Sequence, residues 1–125
     1  MNAGIVVFAH GSRVEAANEA VRRVAAEAAR EGAFEHVEAA FLELGQPDLA
    51  GAVARLAARG IRRVLVTPYF LTDGTHLERD LPRLVAGVAA VHPEVEIRTT
   101  QALDGHPGLA GIVVDRAHEG LADWD

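Results

Sequence analysis

Apolar and polar positions along this chain switch repeatedly between two periods. Ile5-Val6-Val7-Phe8 is an unbroken apolar run, the pattern of a strand covered on both faces. From Val14 the spacing becomes helical. The apolar positions are Val14, Ala17, Val21, Val24 and Ala28, with Arg22, Arg23, Glu27 and Arg30 elsewhere and Gly32 as the stop. Residues 37–42 read as a second strand, and Leu49, Val53 and Leu56 line a second helix ending near Gly60. Residues 61–66, interrupted by Arg62 and Arg63, predict a third strand running into Thr67-Pro68-Tyr69-Phe70. Leu77, Leu81, Leu84, Val85 and Val88 make a third helical stripe, in which Pro82 predicts a kink or a short first turn. Val95-Glu96-Ile97 is a more polar fourth strand, suited to a sheet edge, and Leu109, Ile112, Val113 and Ala117 predict a last helix.

Strand followed by helix four times over means βαβ units with right-handed crossovers. The expected fold class is α/β: a single doubly wound lobe with a four-stranded, mainly parallel sheet and flanking helices. It should occupy residues 1–125 as one domain, within the usual size range of about 100–150 residues. Sheets of this kind bind ligands outside the carboxyl ends of their strands.

The strand ends are unusually rich in chemistry. His10-Gly11-Ser12 follows the first strand and Glu43 the second. Phe70-Leu71-Thr72-Asp73-Gly74-Thr75-His76 follows the third, and Asp104-Gly105-His106-Pro107 the fourth. Two histidines and a glutamate from three loops therefore share one rim, with His106 as a possible third histidine. Ser12-x-x-Glu15 and Thr75-x-x-Glu78 match the capping box, so Ser12 and Thr75 are expected N-caps and His76 the first residue of its helix. A helix N-terminus favours neutral imidazole and attracts carboxylates.

Each residue also has an ordinary reading. His10 can be a hydrogen-bonded turn residue, His76 a surface residue at a helix start, Glu43 a solvated loop acid, and His106 a cap before Pro107. His36, His92 and His118 are given surface or turn roles. Gly105-x-x-Gly108-x-x-Gly111 lacks dinucleotide-binding spacing and follows the last strand rather than the first.

Composition narrows the chemistry. A net charge of −6 argues against nucleic-acid or acidic-membrane binding. All 12 basic residues are arginine, which excludes a P-loop or Schiff-base lysine, and with no cysteine there is no thiolate or cysteine-ligated metal. Any metal must be held by histidine and carboxylate. The opening apolar run has no basic residue before it and is too short for a signal peptide or a membrane span, so a cytoplasmic protein is expected.

Ala9-His10-Gly11-Ser12-Arg13, Phe41-Leu42-Glu43, Gly105-His106-Pro107 and the block from Pro68 to Pro82 resemble the small sirohydrochlorin chelatases of the CbiX type. Within that block Gly74-x-His76 and Asp80-Leu81-Pro82 are the most specific parts. The similarity runs over nearly the whole chain in order. It implies insertion of a divalent metal, cobalt first with iron or nickel as alternatives, into sirohydrochlorin without ATP or an organic cofactor. By the same resemblance His10 and His76 bind the metal, His10 also accepts a proton, and Glu43 assists as ligand or base. Phe70, Leu71, Thr72, Asp73, Gly74 and Thr75 would line the tetrapyrrole pocket. Asp73 is an awkward charge beside a polyanion, though it could attract the metal. Arg13 and Arg79, with the helix start at Ser12, would meet the substrate's carboxylates. A homodimer is expected to complete the cavity.

The residues suit that chemistry. Neutral imidazole can hold an ion and take a proton near its pKa of about 6.5. Histidine with carboxylate suits cobalt(II), nickel(II), iron(II) or zinc(II), and a small ligand set lets the ion leave. Two alternatives stand beside this one. A carrier could use the same residues without turnover. Phosphoryl transfer through His10 is disfavoured by Ala9, where histidine phosphatases place an arginine.

Overall fold

The computed structural model describes residues 2–71 and 74–124, of which residues 74–77 are described by their backbone only. Eight elements alternate: β1 (Ala3–Ala9), α1 (Glu15–Glu31), β2 (His36–Phe41), α2 (Leu49–Ala58), β3 (Arg63–Pro68), α3 (Gly74–Val91), β4 (Glu96–Thr99) and α4 (Gly108–Ala122). All pairings are parallel and the strand order is β2-β1-β3-β4. The α/β reading holds, with β4 at an edge as its polarity required.

The sheet separates two cores. Val7, Ala9 and Phe41 pack on Val21 and Ala25 of α1. Val6, Phe8, Ala40, Val64 and Val66 pack on the other face against Leu49, Val53 and Leu56 of α2 and Leu81 and Val88 of α3. Residues Val6 to Ala9 are buried, on both faces of the sheet, and Val6 to Phe8 among them belong to the continuous apolar run that begins at the half-buried Ile5. Phe8 and Phe41 are fully buried and together contribute about 4–6 kcal/mol of apolar burial.

β3 begins two residues later than its apolar run suggests, because Ile61 belongs to the end of α2. The Ile61 N–H donates to the Leu56 carbonyl at 3.1 Å and the Gly60 N–H to Ala57 at 2.9 Å, a Schellman closure with Gly60 at φ +86°. The Ile61 side chain then packs beside Leu56 in the core. α1 ends in the same motif, but its left-handed residue is Ala33 at φ +54°, not Gly32. Phe34 donates to Ala29 at 2.9 Å and Ala33 to Arg30 at 3.3 Å. α3 is assigned continuously through Pro82.

The expected capping boxes do not form as drawn. α1 starts at Glu15 with Val14 in the N-cap position and no side-chain cap. The Ser12 hydroxyl instead accepts from the Val14 N–H at 3.0 Å, and Glu15 turns to Arg22 at 2.7 Å. The helix containing Thr75 already begins at Gly74, so Thr75 lies within it and His76 is its third residue.

α4 forms where its spacing predicted, but its apolar stripe meets no core. None of its residues is buried, and Ile112, Val113, Val114 and Leu121 are all exposed. On the α1 side of the sheet, α1 packs on β1 and β2. Beyond it, Arg63, Leu65, Glu96 and Arg98 border a hollow of about 330 Å³. Among the described residues no helix is long and apolar enough to cross a membrane.

Candidate functional site

Parallel register decides where the rim lies. Ala9 pairs with Phe41, and Phe8 with both Ala40 and Pro68, so β1, β2 and β3 end at one level. The β1–β2 ladder then continues past the strands. Leu42 N–H donates to the Ala9 carbonyl at 2.9 Å, and Glu43 N–H to the His10 carbonyl at 3.1 Å. The main chains of His10 and Glu43, 33 positions apart in sequence, are thereby joined directly.

Gly11 makes this junction sterically possible. At φ +92° it turns the chain immediately after His10, and a Cβ there would sit 1.7 Å from the Glu43 carbonyl oxygen. Only a residue without a side chain fits.

The third loop is tied in from the other side of β1. Tyr69 N–H donates to the Phe8 carbonyl at 2.7 Å, and Leu103 N–H from the β4 loop to Phe70 at 2.9 Å. The Phe70 ring lies edge-on to the His10 ring, with centroids 4.7 Å apart, and meets Phe8 in a T-shape at 6.1 Å. Phe70 is only 8 % exposed. Its ring therefore packs against His10 and leaves little surface of its own at the rim. The described apolar surface at this edge comes from Leu42, Leu44, Tyr69 and Leu71, all exposed. Leu71 was among the expected lining residues; the other three were not.

His10 and Glu43 are both exposed. The His76 backbone lies in the first turn of α3, and its side chain is outside the described residues. Gly74 and Thr75 likewise have only their backbone described, and Thr72 and Asp73 fall outside the description. Among the described residues no cluster of three histidine, aspartate or glutamate side chains occurs. His106 takes its ordinary role: its Nδ1 accepts from the Gly108 N–H at 2.9 Å, at the start of α4.

Arg13 and Arg79 are exposed, and no ion pair to either occurs among the described residues. Arg83, four residues beyond Arg79, borders a hollow of about 380 Å³ with Leu42, Asp80, Leu81 and Leu84. Periodicity did not single out this arginine, which lies one helical turn from Arg79 on the same face of α3. It also missed Asn18, the buried polar residue of α1, 1 % exposed. Asn18 shares the helix's inward face with Val21 and Ala25 (i, i+3, i+7), a placement that its polar side chain concealed in the sequence.

The electrostatic support around α1 is local. The Arg22 guanidinium holds the Glu15 carboxyl below the usual carboxylate range, with the Asn18 amide adding to the effect. Arg22 also bonds Glu19 at 2.9 Å and the Gln46 carbonyl at 2.9 Å, and its guanidinium stands 5.1 Å over the Phe41 ring. α1 is thus fastened to the loop carrying Glu43.

A parallel lobe with helices on both faces, its histidine and glutamate loops joined at the carboxyl rim, defines an open α/β ligand-binding class. Residues 4–120 match the CbiX family model, and the chain belongs to the CbiX family. It is 30 % identical over 139 residues to the sirohydrochlorin cobaltochelatase of Methanopyrus kandleri, covering 95 % of this chain and 97 % of that one. It is also 30 % identical over 119 residues to the chloroplastic sirohydrochlorin ferrochelatase of Arabidopsis thaliana, covering 95 % of this chain but 53 % of the plant protein. The crystal structure of a CbiX protein from Marinobacter aquaeolei VT8 superposes with a TM-score of 0.84 at 29 % identity, over 96 % of this chain and 98 % of that one.

Proposed function

We propose that this protein inserts a divalent metal ion into sirohydrochlorin without ATP, with cobalt(II) as the first assignment and iron(II) or nickel(II) as alternatives. The observation that carries the reading is the backbone junction between His10 and Glu43 at the rim to which α3 brings His76. The names of this chain's relatives, sirohydrochlorin cobaltochelatase and ferrochelatase, support the substrate class.

In this reading His10 and His76 hold the incoming ion, and Glu43 compensates its charge. As the metal passes to the macrocycle, two pyrrolic N–H protons leave. His10 accepts one, and the other passes to Glu43 or to water, so the doubly charged ion replaces two protons. A weak, open ligand set is required, because a closed four-ligand site would retain the ion. Arg13 and Arg79 meet substrate carboxylates. Leu71, with the neighbouring Leu42, Leu44 and Tyr69, offers apolar contact to the ring; the parts assigned to Thr72, Asp73, Gly74 and Thr75 belong to the same proposal.

The whole chain acts as one such domain in the cytoplasm, as a homodimer. Support for the dimer comes from α4, none of whose residues is fully buried, and from the uncovered sheet surface beyond α1. A second copy would cover both.

The test is an absorbance assay with sirohydrochlorin and cobalt(II), iron(II) or nickel(II), comparing wild type with His10→Ala, His76→Ala and Glu43→Gln. Wild type should accelerate insertion, and each histidine variant should lose about 10²-fold or more. Insertion no faster than the uncatalysed reaction would identify a carrier. Equal rates in wild type and both histidine variants would reject the site.

A further inference from the structure

Asn18, the fourth residue of the alanine-rich α1, carries a buried amide that must find partners inside the protein. Its hydrogen bonds explain why it is there. Oδ1 accepts from the Ser12 N–H at 2.8 Å, and Nδ2 donates to the Ser12 carbonyl and to the Leu44 carbonyl, each at 2.9 Å. A longer contact, 3.2 Å, runs from Nδ2 to Glu15 Oε2. An amide has two N–H hydrogens, so the two shorter bonds account for both and Glu15 shares one of them.

Ser12 lies two residues after His10, and Leu44 one residue after Glu43. One side chain therefore grips both loops from beneath the rim. Neighbouring atoms leave it little freedom. A Cβ at Gly45 would lie 3.1 Å from Asn18 Nδ2 and 2.8 Å from the Phe41 ring.

We infer that Asn18 is a positioning residue that fixes the spacing between His10 and Glu43 for metal handling. The inference rests on the proposed function, since it presumes that these two residues act on the same ion. Only an amide supplies one acceptor and two donors here. Aspartate has nearly the same shape, but its second oxygen would face the Ser12 and Leu44 carbonyl oxygens, with no hydrogen to offer either. The clamp would open without a change in side-chain volume, and the spacing of His10 and Glu43 would lose its support beyond their direct main-chain bond.

The experiment titrates cobalt(II) alone into wild type, Asn18→Asp, Asn18→Ser, His10→Ala and Val53→Ala, following the visible cobalt band below every melting temperature. Val53 is fully buried in the core on the opposite sheet face, so its truncation destabilises without touching the clamp. Cobalt affinity should fall about 10–100-fold in the Asn18 variants and stay within twofold in Val53→Ala. If Asn18→Asp does not fold, Asn18→Ser, which retains a donor and an acceptor, carries the same comparison. Loss in His10→Ala with none in the Asn18 variants overturns the positioning role alone. Equal losses in the Asn18 variants and Val53→Ala reduce Asn18 to ordinary stability and also overturn it. Undiminished binding in His10→Ala overturns the functional reading and this inference with it.

Discussion

Replacing Gly11 with alanine would force apart the two loops that meet beneath His10. At φ +92° the new Cβ would lie 1.7 Å from the Glu43 carbonyl oxygen and 2.9 Å from its carbonyl carbon. Ordinary contact begins near 3.5 Å, so the Glu43 peptide must retreat by about 1.5 Å or more. That displacement breaks the 3.1 Å bond from Glu43 N–H to the His10 carbonyl. A left-handed alanine costs about 1–2 kcal/mol. The lost backbone bond adds about 1 kcal/mol. The sum of about 2–3 kcal/mol is well below a typical total stability of about 5–15 kcal/mol, so the variant should fold. At roughly 4 °C per kcal/mol for a chain of this size, Tm should drop by about 8–12 °C. Catalysis should suffer more than stability, because a misplacement of about 1 Å commonly costs about 10²-fold in rate. Calorimetry with the cobalt-insertion assay at 25 °C reads both effects. A Tm within 1 °C of wild type, or insertion within twofold of it, would refute the steric reasoning.

Four further outcomes are expected. Ala33→Gly relieves a left-handed alanine at φ +54° and should raise Tm by a few degrees in a thermal melt, since the strain is worth about 1 kcal/mol. Glu15→Gln should cost stability at neutral pH. Because the folded carboxyl titrates below its unfolded value, wild type holds this contribution above the usual carboxylate range and loses it as pH falls through the lowered value. The gap between the two proteins in urea melts should therefore close in acid. Arg13→Ala and Arg79→Ala should each raise KM for sirohydrochlorin and flatten its salt dependence, with unchanged KM in both rejecting the assignment. Ile112→Asp with Val113→Asp should give a monomer in sedimentation where wild type is a dimer. A wild-type monomer would discard the assembly.

Much of the architecture was legible because periodicity reports burial directly. Ile5 to Phe8 read as doubly covered, and of these Val6 to Phe8 are buried; Val95 to Ile97 read as polar and border an edge strand. The convergence of His10 and Glu43 followed from parallel topology alone. Boundaries failed where one residue type could serve two local motifs. Ile61 reads as the start of a strand, but it closes α2. Ser12-x-x-Glu15 reads as a capping box, yet Asn18 takes the Ser12 main chain and Arg22 takes Glu15. Gly32 looked like the left-handed stop, and the helix runs one residue further before Ala33 adopts that conformation. Asn18 was hidden for a different reason. A polar residue in an alanine-rich helix resembles solvent-facing sequence until the loops it bonds, up to 26 positions away, are placed beside it. The exposure of α4 was equally unreadable, because a hydrophobic stripe records that a face wants cover without naming what covers it.

That stripe carries a thermodynamic consequence. A terminal helix with no buried residue contributes little to the free energy of an isolated chain. If its cover comes from a second copy, mass action enters: dilution weakens the fold itself as well as the association, and Tm becomes a function of protein concentration. Specific activity would then fall on dilution, an economy that ties the working enzyme to its abundance in the cell.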